Sequence, residues 1–298
     1  MRRVSLTSRF LPVSIALAVA VAVAPAASPS QQADDVTVKG PTRDQEHGLD
    51  VYTITSPFTG RANRLDVLLP DKVEPGRKYP VLYVLPVGGE WAAKPPWGNG
   101  LAAVRRINAQ NAHGLICVSM EFDTVPWYGS HATNPRIRHD QYLLKVIVPL
   151  IESRYPVGKA PADRLLIGFS KSGWGAVSLL LRHPDFFGAA CSWDAPLMMK
   201  EDNLKYGSAE HFGTPAQAAP YAPANLVEKQ AGQFAGKPVR LTILGYDNFG
   251  PHTESFHRLL ESQAVPHRFD NSLRYKHAWE SGWLAKALDL MLGSKPAK

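Results

Sequence analysis

Leu165-Leu-Ile-Gly-Phe-Ser-Lys-Ser-Gly-Trp-Gly-Ala176 is the stretch that decides how this chain folds. The apolar run Arg164-Leu-Leu-Ile-Gly168 predicts a strand covered on both faces. Ser172 to Arg182 reads as a helix, so the strand passes almost directly into it. A turn that sharp presses together the backbones two residues before and two residues after its apex, and both positions must be small. With Ser170 at the apex these positions are Gly168 and Ser172, with Gly173 next. With Ser172 at the apex they would be Ser170 and Trp174, and an indole does not fit. The alternative for Ser170 is a plain helix cap.

A serine hydroxyl is a weak nucleophile until an imidazole takes its proton, and a carboxylate must orient that imidazole and stabilise its charged form. On a strand–serine–helix scaffold the partners follow in the order serine, acid, histidine. The strand Arg240–Gly245 leads to Asp247, and the segment between the last strand and the final helix carries His277. Ser170, Asp247 and His277 are thus the expected catalytic trio. Asp194, just past the strand Ala189–Trp193, is a second candidate acid. His252, His257 and His267 also fall in this half, but His252 and His257 are five residues apart and share no helical face, so no metal site is expected. Trp279 and Trp283 follow His277 and could anchor its loop by burying their rings.

Four segments together, Leu82-Tyr-Val-Leu-Pro-Val-Gly-Gly89, the Gly168–Ala176 turn, Arg182-His-Pro-Asp-Phe-Phe-Gly188 and His277-x-Trp-x-x-x-Trp283, resemble the putative-esterase family of alpha/beta hydrolases over residues 60–292. That family includes S-formylglutathione hydrolases, feruloyl and acetyl-xylan esterases, enterochelin esterases and mycolyltransferases. The resemblance implies an acyl-enzyme mechanism with two backbone N–H groups facing the developing oxyanion. One belongs to Lys171, the residue after the nucleophile. The other belongs to the loop after Leu85, where Pro86 has no N–H to give, so Gly88 is expected and Val87 stands in reserve. Two departures mark this chain: Ser172 where glycine is usual, and Pro86-Val87 where His-Gly or Ser-Gly is usual.

Outward from the turn, Val51–Thr55 and Arg64–Leu69 predict an antiparallel hairpin, with Pro57 and Gly60 between them. Tyr79–Leu85 and Leu115–Met120 are further strands, with helices at 101–112, 139–154, 252–263 and 281–292, and a short strand at His267–Phe269. Strand–helix alternation repeated in this way predicts an α/β fold of the alpha/beta-hydrolase type, with a mostly parallel sheet, helices on both faces and an N-terminal hairpin. One domain at 48–294 is enough. Residues 195–236, rich in Pro, Gly and Ala, form an insertion expected to act as a lid or pocket wall. Trp91, Trp97, Trp127 and Tyr128 lie in loops after strand ends, and Trp193 closes a strand; Trp97, Trp127, Tyr128 and Trp193 are the expected substrate-binding aromatics.

Residues 1–26 carry Arg2, Arg3 and Arg9, an apolar Leu11–Ala24 and a small-residue exit at Ala24-Pro-Ala26, the pattern of a secretory signal peptide. Residues 27–47 read as a flexible linker. A secreted or periplasmic protein is expected, with no stable membrane insertion after cleavage. Removing the three leader arginines lowers the formal charge of this 298-residue chain from +7 to +4, and no dense basic stripe remains, which argues against nucleic acid as a partner. Two cysteines exclude a disulfide scaffold; Cys117 and Cys191 sit in apolar runs and read as buried small hydrophobes. The expected reaction is hydrolysis of a carboxylic ester, on a polysaccharide or a small secreted metabolite, without metal or organic cofactor. The alternatives are an acyltransferase with the same trio and an inactive ligand-binding protein.

Overall fold

The computed structural model describes residues 36–88, 94 and 96–293, which belong to one compact unit, 35–298. The leader reading falls outside the described residues. Nine strands form one sheet: β1 (Thr37–Asp44), β2 (Leu49–Thr55), β3 (Asn63–Leu68), β4 (Val81–Val84), β5 (Ile116–Met120), β6 (Arg164–Phe169), β7 (Ala189–Trp193), β8 (Leu241–Leu244) and β9 (His267–Asp270). Their order across the sheet is β1-β2-β3-β5-β4-β6-β7-β8-β9. The first three strands and the β3–β5 junction are antiparallel, and everything from β5 to β9 is parallel. The expected fold class is the observed one.

Alternation along the central strands explains why both faces are covered. Val81 and Tyr83 of β4 and Leu166 of β6 enter one core, while Leu82, Val84, Leu165, Ile167 and Phe169 enter the other. Successive side chains point to opposite faces, so a continuous apolar run needs a helical layer on each side. α1 (Gly100–Arg106) and α2 (Ala109–His113) follow β4. α3 (His139–Tyr142) and α4 (Val148–Arg154) are joined through a π turn at Leu143–Ile147. α5 (Ser170–Arg182) leaves β6 without a break. The insertion folds into α6 (Ser208–Phe212), α7 (Pro215–Ala218) and α8 (Pro223–Gln230), and α8 packs on α5. α9 (Gly250–Ser262) and α10 (Trp283–Leu292) complete the chain. Cys117 and Cys191 are buried free thiols, and burial pushes both far up from their ordinary pKa.

Two expectations are corrected. The linker reading of 27–47 is too long, because Thr37–Asp44 pairs with β2 as an edge strand. Its residues are almost all exposed, so it lacks the apolar alternation that marks a strand. The single helix expected at 101–112 is two, broken at Asn108 in the left-handed region (φ 54°).

Candidate active site

Ser170 opens α5 at φ +54°, a conformation uncommon for a residue with a side chain and found where function fixes the backbone. A Cβ at Gly168 would run into the backbone of Ser172, which is why only glycine serves there. Ser172 is fully buried, and its hydroxyl donates to the Phe169 carbonyl at 2.9 Å while accepting from the Phe169 N–H at 3.1 Å. The serine that departs from the family pattern therefore staples the turn across its own base. Ser170 Oγ makes no hydrogen bond among the described residues.

His277 lies in the loop between β9 and α10, and that loop is pinned at several points. Trp283 Nε1–H donates to the Lys276 carbonyl at 2.8 Å, Ser281 Oγ–H donates to the same carbonyl at 2.7 Å, and the Trp279 N–H donates to the Trp97 carbonyl at 2.8 Å. Trp279 and Trp283 bury their rings beneath it. The imidazole packs against the edge of Phe169, the residue before Ser170, with ring centroids 4.9 Å apart.

The acid is where the reading changes. His277 Nδ1 lies 2.6 Å from Asp194 Oδ2, and Asp194 is fully buried. An ionised carboxylate only accepts, so Nδ1 is the donor, which in the neutral ring leaves Nε2 as the acceptor that a general base needs. The second oxygen, Asp194 Oδ1, accepts the Phe249 N–H at 2.5 Å. Asp247, the expected acid, is exposed, and its Oδ2 accepts the backbone N–H of His277 at 2.6 Å. The imidazole pairs with Asp194 because β7 lies beside β6, whereas Asp247 starts a short 3-10 turn (Asp247–Phe249) beyond β8 and meets the loop's main chain. Ser170, Asp194, Asp247 and His277 follow the C-terminal ends of four consecutive parallel strands, β6 to β9. The expected Ser170–His277 hydrogen bond is not made in this structure.

Lys171 N–H belongs to the first turn of α5, whose N–H groups point off the helix end toward any anion formed there. The Lys171 ammonium is partly desolvated, which lowers its pKa. Gly88 is buried in the loop after β4, and Leu85 N–H extends the ladder to the Ile167 carbonyl at 2.9 Å. Three of the expected substrate-binding aromatics are instead interior. Trp127, Tyr128 and Trp193 are fully buried, Trp127 edge-on to Trp174 at 5.3 Å and Trp193 stacked on Phe169 at 5.9 Å, because the loops after these strand ends fold back onto α5 and β6. Trp97 is half-buried, and Trp91 lies outside the described residues. The sequence reading missed Tyr206 (49% exposed), edge-on to Phe249 at 5.5 Å, with Phe249 5.6 Å from His277. Tyr246 (42% exposed), under the Arg274 guanidinium at 4.5 Å, was missed likewise. No periodicity marks either one, since both sit in short irregular segments. His257 and His267 hydrogen-bond to each other at 2.7 Å. A cleft of about 560 Å³ beside His47, Arg64 and Arg105 contains none of the trio and lies at the antiparallel end of the sheet.

A strained serine at a strand–helix turn, with a carboxylate-held imidazole on the neighbouring strand ends, sits here on the fold of the alpha/beta hydrolases. Residues 56–235 match the family described as "Putative esterase", and the chain belongs to that family. Among solved structures, a ferulic acid esterase is similar at 19% identity, with 87% of this chain and 97% of that chain covered and a TM-score of 0.63. FphF, a fluorophosphonate-binding serine hydrolase of Staphylococcus aureus, is similar at 17% identity, 87% and 99% coverage and a TM-score of 0.66. An S-formylglutathione hydrolase from Agrobacterium tumefaciens is similar at 14% identity, 85% and 99% coverage and a TM-score of 0.64. At these identities they bear on the fold. No curated protein matches the chain.

Proposed function

We propose that the protein is an exported esterase that works through an acyl-enzyme on Ser170, with His277 as general base and Asp194 as the acid that orients it. The observation that carries this reading is the 2.6 Å contact between His277 Nδ1 and the fully buried Asp194 carboxylate. A buried carboxylate held by one imidazole and one backbone N–H stabilises the imidazolium that forms when Ser170 gives up its proton. Lys171 N–H and Gly88 N–H supply the oxyanion contacts. Ser170 Oγ bonds to the acyl carbon, the alcohol leaves with the proton returned by His277, and water activated by the same imidazole releases the acid.

For substrate we propose an ester whose acyl or alcohol part carries a sugar or aromatic ring. The exposed Tyr206, edge-on to the Phe249 that neighbours His277, and the exposed Tyr246, whose other face is covered by Arg274, offer ring surface on which such a ring can stack. Export rests on the basic, apolar and small-residue segments of the leader. A fluorophosphonate probe followed by mass spectrometry is expected to modify Ser170 alone, and hydrolysis of p-nitrophenyl acetate is expected to be lost with it. Modification at another serine, or none in folded protein, would overturn the assignment.

A further inference from the structure

Tyr128 is too unusual to be core filling. It is fully buried, yet its backbone sits at φ +51°, where a bulky residue is a genuine outlier. Outliers of this kind persist only where the surroundings over-determine them, and here three contacts do so. The ring lies against α5 at Gly175, so close that any Cβ there would collide with it. The Tyr128 carbonyl accepts from Arg182 Nη2 at 2.5 Å, and Arg182, the last residue of α5, is ion-paired with Asp140 at 2.7 Å in a nearly buried setting. The phenol O–H donates to the Pro86 carbonyl at 2.5 Å. Burial raises the phenol pKa well above its ordinary value, so the proton stays in place as a donor.

Pro86 is where this matters. Proline has no N–H and so offers the protein a single backbone hydrogen-bonding handle, its carbonyl. That carbonyl and the Val87 N–H share one rigid peptide plane, so fixing one fixes the direction in which the chain leaves toward Gly88. Lys171, the other proposed oxyanion donor, rides on α5, the helix against which the same ring is seated. We infer that Tyr128 is a positioning residue for the oxyanion hole: it holds the Pro86–Gly88 loop in fixed register with the helix that carries Ser170 and Lys171. Tyr128 touches no reacting atom. Its hydroxyl holds a loop in which Pro86-Val87 stands where His-Gly or Ser-Gly is more usual. This inference rests on the reading of Ser170 as nucleophile and of Gly88 and Lys171 as donors.

Tyr128→Phe removes the hydroxyl and nothing else. With active sites counted by fluorophosphonate titration, kcat on p-nitrophenyl acetate is expected to fall about 10- to 100-fold, less than the loss of a donor itself. KM is expected to stay within about twofold, because the loosened contact matters most once the oxyanion forms. Affinity for a boronic acid that forms a tetrahedral adduct on serine should fall in step with kcat. Ser170 should still be labelled to completion, only more slowly. Should the Phe variant not fold, Tyr128→Met, which also lacks the hydroxyl and can repack, carries the same expectation. A lower melting temperature with kcat per titrated site unchanged would make Tyr128 purely structural and overturn the inference. So would a KM that rises as steeply as kcat falls. If the wild-type enzyme is not labelled at Ser170, the functional reading beneath the inference fails instead, and the two failures are told apart.

Discussion

The two carboxylates around His277 differ in what they hold, and that difference predicts how each responds to substitution. Asp194 faces the imidazole itself, and in the proposed mechanism its charge stabilises the imidazolium. Asp194→Asn keeps the shape but removes the charge, and its amide can turn an N–H toward Nδ1 and select the wrong tautomer; kcat is expected to fall roughly 10⁴-fold. The Asp247 carboxylate, among the described residues, holds only the backbone N–H of His277. Asp247→Asn retains an accepting oxygen and should cost less than about tenfold, while Asp247→Ala frees the loop and should cost about 10- to 100-fold. Steady-state kinetics on the three variants decide the matter: a collapse in Asp247→Asn with a mild Asp194→Asn would return the acid to Asp247. In the sequence both aspartates follow strand ends and both lie between Ser170 and His277, so the order serine, acid, histidine does not choose between them, and the expectation of an acid past a later strand points to Asp247. What distinguished Asp194 was its setting, Trp193-Asp-Ala-Pro-Leu197, an acid in an apolar run that has to find a partner when buried. Spacing alone does not carry that information, because the choice depends on which of two adjacent strand ends the histidine loop crosses.

The elements that could be read were those whose physics is local. β6 and α5 announce themselves by an apolar run, a small-residue turn and a helical period, and the Gly168 requirement is steric within five residues. β1 could not be read, since an exposed edge strand is held by its pairing to β2 and not by a buried face. Nor could the burial of Trp127 and Tyr128, which depends on contacts with α5 and α6 far along the chain. The turn between β6 and α5 has its own test. Ser172 satisfies both backbone groups of Phe169 in a buried place, so Ser172→Ala leaves a donor and an acceptor without their partner. That costs about 1–3 kcal/mol and should lower the melting temperature by several degrees for a chain of this size. Calorimetry is the measurement, and an unchanged transition would show that the turn holds without its staple. Ser170 should remain reactive toward a fluorophosphonate in this variant, since Ser172 bonds the main chain of Phe169 and not the nucleophile.

Across the whole molecule, the insertion is tied to the body through histidines that acid should disturb. His211 of α6 stacks on His139 at 5.0 Å and meets His131 edge-on at 5.2 Å, while His211 Nε2 lies 3.3 Å from the Gly129 carbonyl. His139, on α3, is fully buried with Nε2 3.2 Å from Thr124 Oγ1. Desolvation pushes His211 down to about 4 and His139 well below its ordinary value; neighbouring imidazoles add to the effect, while the Gly129 carbonyl and, less, Asp140 oppose it at His211. In the unfolded chain these rings take protons near pH 6.5. Between about pH 4 and 6.5 the unfolded state therefore binds more protons than the folded one, so stability rises with pH through that window and is lost as pH falls through it. Above pH 6.5 both states are neutral at these rings and the dependence from this source vanishes. For His211 alone the loss approaches on the order of 3 kcal/mol once pH drops below about 4. His183, on the C-terminal cap of α5, is also lowered to about 4 by burial and contributes in the same direction, so the informative quantity is a difference between two proteins. His211→Gln is expected to melt lower than wild type at pH 7.5, having lost its stacking on His139, yet to lose fewer degrees between pH 7.5 and pH 4.5. Parallel melting curves for the two proteins across that range would mean that the clasp between α6 and the body is not what acid loosens.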